Sequence, residues 1–433
     1  MKTPRFETLT LDAIVGGGQA IGTLSDGRKA FVWGGLTGEK VAIRLTKTKQ
    51  HFVEGVVTEI LEPSPRRIAP KDPESYLSTS PWQIMHFATE QQYKASLIEQ
   101  AFELHGITLQ QPVNVYTDGK DFRYRNKVEF SWYGQTRDDG SEQLDLAFFR
   151  RGSKGKVAVT DCALLPDSML RLARAVRDAL QRENVRAGDL KTLLIRCDQQ
   201  GQCVWQLYVK NKPFTALADN IAQALPALGG EIIYSDPKSP ASRITTRLHT
   251  YGSTVLTDTV LGVPFRYATE GFFQINLPVY EQALNNMREW VPAGAKVVDL
   301  YSGVGSIGLT IGGDTPELIE ISEDAVREMK RNIAALGSHA AAILAPSEKA
   351  LDYITSDKLV IVDPPRAGLH KDVIDHLLEQ LPKRIIYLSC NPVTQARDVA
   401  LLQHAYAIAH HQGYNFFPRT PHTEHLVVLE HEQ

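Results

Sequence analysis

The segment 295–308, AKVVDLYSGVGSIG, joins a short apolar run to a glycine-rich turn. Gly303, Gly305 and Gly308 stand as G-x-G-x-x-G directly behind Val297, Val298 and Leu300 and ahead of a helical pattern. Glycines at those places let a ligand approach the backbone closely. Glu320 falls at the end of the following apolar segment, about twenty residues past Asp299, where a carboxylate can accept from two ribose hydroxyls. Nicotinamide, flavin and methyl-donor folds all share this grammar. The form D-x-x-x-G-x-G, opened by Asp299, favours the methyl donor S-adenosylmethionine.

Working outward, helical and apolar strand patterns alternate from about Tyr280 to the end of the chain: YEQALNNMREWV, AKVVDLYS, LIEIS, EDAVREMKRNIAAL, KLVIVD, KDVIDHLLEQL and RIIYLSC. That alternation predicts a parallel, doubly wound α/β sheet. Such sheets bind ligands beyond the carboxyl ends of their strands, so residues that close strands are the candidates for chemistry. Asp363 closes one, in Asp363-Pro364-Pro365-Arg366, and the two prolines fix the chain at that exit. Cys390 closes the next, in Ser389-Cys390-Asn391-Pro392, where a thiol near the crevice can serve as a nucleophile. A buried structural cysteine is the plainer alternative. The loop Phe417-Pro418-Arg419-Thr420-Pro421-His422-Thr423-Glu424-His425 supplies a candidate general base in Glu424. Its histidines lack the companions a metal site needs, so no metal is expected. Gln274, in GFFQIN, offers an amide donor and acceptor suited to a zwitterionic methionine moiety.

The first sixty or so residues differ in kind. FETLTLDAI, QAIGTLSDG, RKAFVWGG and KVAIRLTKTKQHFVEGVVTEILEP alternate in the manner of short strands, with glycine-rich turns between them, which predicts a small β-barrel. The stretch EPSPRRIAPKDPES reads as a linker or extended crossing segment, and the region after it as α+β. Three domains follow: 1–62, 63–262 and 263–433.

Composition sets the frame. With 433 residues, 43% hydrophobic and 22% charged, the chain suits a multi-domain globular protein. A net charge of −3 excludes a global basic field, so any nucleic-acid contact is local. Four cysteines with no C-x-x-C pair exclude a disulfide scaffold and a zinc knuckle. No signal-peptide core or long apolar run is present, and the expected localisation is cytoplasmic.

Taken together, GFFQIN, DLYSGVGSIG, VDPPR, SCNP and FPRTPHTE resemble, in order and spacing, the RNA uracil-5-methyltransferases that make 5-methyluridine in tRNA and 23S rRNA. FRYRNKVEF and FFRRGS resemble that family's central domain, and the N-terminal region its TRAM domain, an OB-like RNA-binding barrel. The resemblance implies a Rossmann-like catalytic domain using S-adenosylmethionine, with a helix around 91–124 packed against it. It puts Gln274, Tyr301, Gly303, Gly305, Glu320 and Asp363 at the cofactor, Cys390 at the nucleophile and Glu424 at the base. RNA, either 23S rRNA or tRNA, is the implied partner, gripped by basic residues such as Arg123, Arg125, Lys127, Arg150 and Arg151; no membrane and no obligate protein partner is implied. Many members hold an iron–sulfur cluster on four cysteines. Here APKDPESYLSTSPWQIMHF carries none, so no cluster is expected. LAPSEKAL puts Pro346 and Ser347 where a Gly-Asp usually meets the adenine. The competing readings are an RNA-binding relative without catalysis and an amino-methylating enzyme, which needs no cysteine.

Overall fold

The computed structural model describes residues 5–217 and 219–431. The chain divides into two compact units, one of Met1–Glu90, Lys120–Leu256 and Pro418–Pro421, the other of Gln91–Gly119, Thr257–Phe417 and His422–Gln433.

The first unit begins with strands β1 (Phe6–Ile14), β2 (Ala20–Thr23), β3 (Lys29–Trp33), β4 (Lys40–Thr48) and β5 (Phe52–Glu62). They close into a barrel in the order β1-β2-β3-β5-β4. Alternation explains it: Leu9 and Leu11 of β1, Val32 of β3 and Val41 and Ile43 of β4 are buried, while their neighbours face outward. The stretch read as a linker or extended crossing segment is fastened to the barrel. Arg67 pairs with the buried Glu39 at 2.5 Å and donates to the carbonyl of Gly34 at 2.8 Å. Past the one-turn helix α1 (Tyr76–Thr79), the indole of Trp82 donates to the carbonyl of Gly18 at 3.0 Å.

Helix α2 (Phe87–Glu103) and strand β6 (Val115–Tyr116) come next, and both belong largely to the second unit. The helix stops at Glu103 and does not run on toward 124, because Gly106 takes a left-handed φ of 74° that ends the helical path. The first unit then resumes with β7 (Lys127–Thr136), β8 (Glu142–Phe149), β9 (Lys156–Ala158), α3 (Asp167–Arg182), β10 (Leu190–Cys197), β11 (Cys203–Val209), α4 (Asp219–Gln223), β12 (Gly229–Tyr234) and β13 (Thr246–Gly252). Seven strands form one sheet in the order β13-β12-β11-β10-β7-β8-β9. Met169, Leu172, Val176 and Leu180, at helical spacing on α3, share a core with Phe130, Leu193 and Trp205 of that sheet. Cys197 and Cys203 oppose each other across the β10–β11 hairpin, and both are buried.

The second unit holds a two-stranded sheet of β14 (Val255–Val260) and β15 (Val263–Ala268), then α5 (Leu277–Arg288), β16 (Lys296–Leu300), α6 (Ser306–Ile311), β17 (Glu317–Glu320), α7 (Glu323–Leu336), β18 (Ala341–Leu344), β19 (Lys358–Val362), α8 (Lys371–Gln380), β20 (Arg384–Ser389), α9 (Pro392–Leu402), β21 (Tyr406–Tyr414) and β22 (Glu424–His431). Its main sheet runs β18-β17-β16-β19-β20-β22-β21-β6. The five strands from β18 to β20 are parallel, and β22 enters antiparallel between β20 and β21. Residues two apart bury one face: Val298 and Leu300, Val360 and Val362, Ile385 and Tyr387, Val427 and Leu429. Ile98 and Phe102 of α2, one helical turn apart, join the same core with Val373, Leu377 and Val399. Reversal of β22 has a direct consequence. Its first residue lies at the same sheet edge as the last residues of β19 and β20.

Candidate active site

That edge gathers the residues the sequence singled out. Val362 of β19 is in register with Tyr387 of β20, and Ser389 of β20 with His425 of β22. One step further lie Asp363, Cys390 and Glu424, each just past or at a strand end. Cys390 and Asp363 are half-buried and Glu424 is buried. Burial first, then the neighbouring Glu424 and Asp363, push the Cys390 thiol up to about 12; Arg366 acts in the opposite sense. Glu424 is raised well above the carboxylate range by burial and by Asp363, again with Arg366 opposing. Burial pushes Asp363 up to about 7. Two carboxyls and a thiol thus share a poorly solvated edge with one guanidinium. A cation bound there relieves all three.

The loops carrying these groups brace each other. Asn391 caps α9 and its Nδ2 donates to the carbonyl of Arg366 at 2.9 Å, which also accepts from Thr394 Oγ1 at 3.1 Å. Arg397 donates to the carbonyl of Ala367 at 2.9 Å. The buried carboxylate of Asp398 accepts from the Leu369 amide and the Tyr387 hydroxyl, each at 2.8 Å. The motif 363–366 is therefore seated on the first two turns of the helix that follows Cys390.

The glycine turn completes the edge. Gly303 and Gly305 take φ of 58° and 88°, and Tyr301 takes 66°, a backbone state in which a side chain is strained. A side chain at Gly303 would meet nothing within 4 Å, so the backbone there faces open space. At Gly308, by contrast, a Cβ would stand 2.2 Å from the Leu318 side chain and 3.0 Å from Asp299 Oδ2. The three glycines thus do different work: an open turn at one end and helix–sheet packing at the other. Glu320 Oε2 accepts from the Gly303 amide at 2.9 Å and Oε1 from Ser322 at 2.8 Å, so the carboxylate is aimed by the turn it faces. Asp299 is fully buried; its Oδ2 accepts from the Gly308 amide at 2.9 Å, while Oδ1 has no partner. Burial raises Asp299 to about 8.

Tyr301 is half-buried, and its hydroxyl accepts from Ser347 Oγ at 2.8 Å. Gln274 is 8% exposed in the segment leading into α5. That helix is tied to the turn through Tyr280, whose hydroxyl lies 2.8 Å from Ser306 Oγ at the start of α6. Sequence reasoning passed over Asp398 and Tyr280, whose roles depend on long-range contacts, and left Arg366 unassigned although it quoted the motif.

Of the basic residues expected to grip RNA, several have internal duties. Arg123 pairs with Asp167 at 3.3 Å and Asp161 at 3.8 Å. Arg125 Nε donates to the carbonyl of Lys127 at 2.8 Å, and Lys127 pairs with Glu129 at 3.4 Å. The Arg151 guanidinium lies 4.1 Å from the Trp33 ring centroid. Arg150 is exposed. Among the described residues, no helix is long and apolar enough to cross a membrane, and no group of three or more His, Cys, Asp or Glu is arranged to hold a metal ion.

A doubly wound sheet whose reversed last strand returns to the carboxyl edge, preceded in the chain by a closed five-stranded barrel and an α+β region, gives the chain a Rossmann-like methyltransferase fold with a TRAM-like barrel. Comparison with known proteins narrows the class. Residues 348–432 match the family model described as tRNA (uracil-5-)-methyltransferase. An RNA methyltransferase of Nitratidesulfovibrio vulgaris, described as uncharacterized, is 29% identical over 98% of this chain and 96% of its own. One from Enterococcus faecalis, described alike, is 28% identical over 92% of each. The crystal structure of Pyrococcus abyssi tRNA (uracil-54, C5)-methyltransferase in complex with S-adenosyl-L-homocysteine superposes with a TM-score of 0.78, covering 98% of this chain and 100% of that one at 21% identity, a likeness of fold. The chain is therefore similar over residues 348–432 to the tRNA (uracil-5-)-methyltransferase family, and over nearly its whole length to bacterial proteins described as RNA methyltransferases.

Proposed function

We propose that the protein methylates carbon 5 of a uridine in structured RNA, a tRNA or 23S rRNA, with S-adenosylmethionine as donor, Cys390 as nucleophile and Glu424 as base. The observation that carries this reading is the meeting of Cys390 and Glu424 at neighbouring strand ends beside Asp363.

S-adenosylmethionine supplies an electrophilic methyl group on a sulfonium. The residues present suit it: an open backbone turn at Gly303, a carboxylate aimed from Glu320, an unpartnered buried oxygen on Asp299 and an acid-rich edge that favours a cation. Gly303, Gly305, Tyr301, Glu320, Asp363 and Gln274 would hold it. A positive charge beside Asp363 also favours ionisation of the Cys390 thiol.

Carbon 5 of uracil is too weak a nucleophile unaided. Cys390 Sγ adds to carbon 6, and the electron pair moves through carbon 5 to the carbonyl as an enolate. Carbon 5 then bonds the methyl carbon, whose bond to the donor's sulfur breaks, the electron pair leaving with the sulfur as a neutral thioether. Glu424 takes the proton from carbon 5, the double bond re-forms, and the carbon–sulfur bond breaks to return the thiolate. A raised Glu424 serves this step, since a weaker acid is a stronger base. The target base must leave its stack to reach the edge. The test is transfer of labelled methyl from S-adenosylmethionine to tRNA and 23S rRNA transcripts, followed by nucleoside analysis. 5-Methyluridine is expected; methylation confined to an amino group of adenine or guanine would contradict the reading.

A further inference from the structure

Gln395, in the first turn of α9, is fully buried and spends every hydrogen-bonding group on the two strands that bear the reacting residues. Its Nε2 donates to the carbonyl of Tyr387 in β20 at 3.0 Å and to the carbonyl of His425 in β22 at 2.9 Å. Its Oε1 lies 2.7 Å from His425 Nδ1. With both amide hydrogens engaged, Oε1 can only accept, so His425 Nδ1 carries the proton. The imidazole is held in one tautomer, edge-on to Phe102 with ring centroids 5.2 Å apart.

The position of this clamp gives it meaning. The Ser389–His425 rung is the last before the strands part toward Cys390 and Glu424. A ladder end with no further rung opens most easily. Gln395 closes that end from the side, and it does so from the same helix whose cap, Asn391, directly follows Cys390.

We propose that Gln395, acting with His425, is a positioning residue that fixes the spacing of Cys390 and Glu424 and thereby sets the rate at which the methylated adduct is resolved. This rests on the roles given to Cys390 and Glu424 above. Removing the clamp lets the base drift relative to the carbon 5 proton, and a displacement of about 1 Å costs up to about 100-fold in rate.

The experiment compares wild type with Gln395→Leu, which keeps the volume and removes the bonds, on an RNA substrate with S-adenosylmethionine. We expect kcat to fall about 10- to 100-fold with KM for RNA within about threefold. During turnover, SDS-stable protein–RNA adduct should build up on ordinary uridine; a simple loss of folded protein would not produce it. His425→Asn, which keeps a donor for Gln395, should hold kcat within about threefold of wild type. Should Gln395→Leu fail to fold, His425→Leu carries the same expectation. Wild-type kcat and adduct level in Gln395→Leu, or an equal loss in His425→Asn, would overturn the positioning role alone. If wild type captures no adduct with 5-fluorouridine RNA while Cys390→Ala still turns over, the nucleophile reading falls and this role falls with it.

Discussion

Cys390 and Glu424 stand opposite each other one step beyond the Ser389–His425 rung, and a negative charge on Glu424 opposes ionisation of the Cys390 thiol. In the protein without ligands the thiol is pushed up to about 12, chiefly by burial and next by Glu424. Alkylation of Cys390 should therefore be slow at pH 7 and still rising at pH 10, since thiolate forms only as pH approaches the raised value. Glu424→Gln removes a charge that opposes the thiolate and should speed alkylation at pH 9. Rates measured by mass spectrometry against pH check both. A plateau below pH 8 in wild type would contradict them.

Asp299 gives a pH-dependent stability with a defined sign. Its folded-state value of about 8 lies above the ordinary carboxyl range, so the folded protein binds this proton more tightly than the unfolded chain. The stability it contributes is full below about pH 4 and is lost as pH rises toward about 8. Asp299→Asn keeps an acceptor for the Gly308 amide and does not ionise. Its stability relative to wild type should rise by at least about 1 kcal/mol between pH 5 and pH 8, measured by denaturant unfolding. A constant difference across that range would remove the argument.

The glycines separate binding from folding. Gly308→Ala forces a methyl against Leu318 and Asp299 and should cost about 1–3 kcal/mol of stability. Gly303→Ala meets open space; its left-handed backbone costs about 1 kcal/mol, and its larger effect should be a loss of S-adenosylmethionine affinity. Thermal unfolding and titration calorimetry on both variants separate the two effects.

Much of the second unit was legible because its signals are local. Each strand of the parallel sheet is a short apolar run, and each of Asp363 and Cys390 closes one, so sheet edge and site follow from the same residues. Glu424 was harder. Its place depends on β22 reversing and inserting beside β20, which no periodicity announces. The stretch 62–75 read as a linker or extended crossing segment because of its prolines, and what the sequence did not show is that Arg67 seats it on Glu39 of the barrel, an ion pair between residues 28 apart. The expected helix in 91–124 ends at Glu103, with Gly106 marking the stop that the sequence itself displays. Gln395 was invisible for a physical reason: a glutamine in an amphipathic helix looks solvent-facing until the carbonyls that use it are in place.

The central claim is that Cys390 becomes covalently bonded to carbon 6 of the target uracil. Fluorine at carbon 5 cannot leave as a proton, so RNA carrying 5-fluorouridine at the target position should stall after methyl transfer. With S-adenosylmethionine present, wild-type protein should yield an SDS-stable adduct whose cross-linked peptide contains Cys390, and Cys390→Ala should yield none. Absence of adduct from an RNA that the wild-type protein methylates, or a cross-link mapped to another residue, would contradict the account.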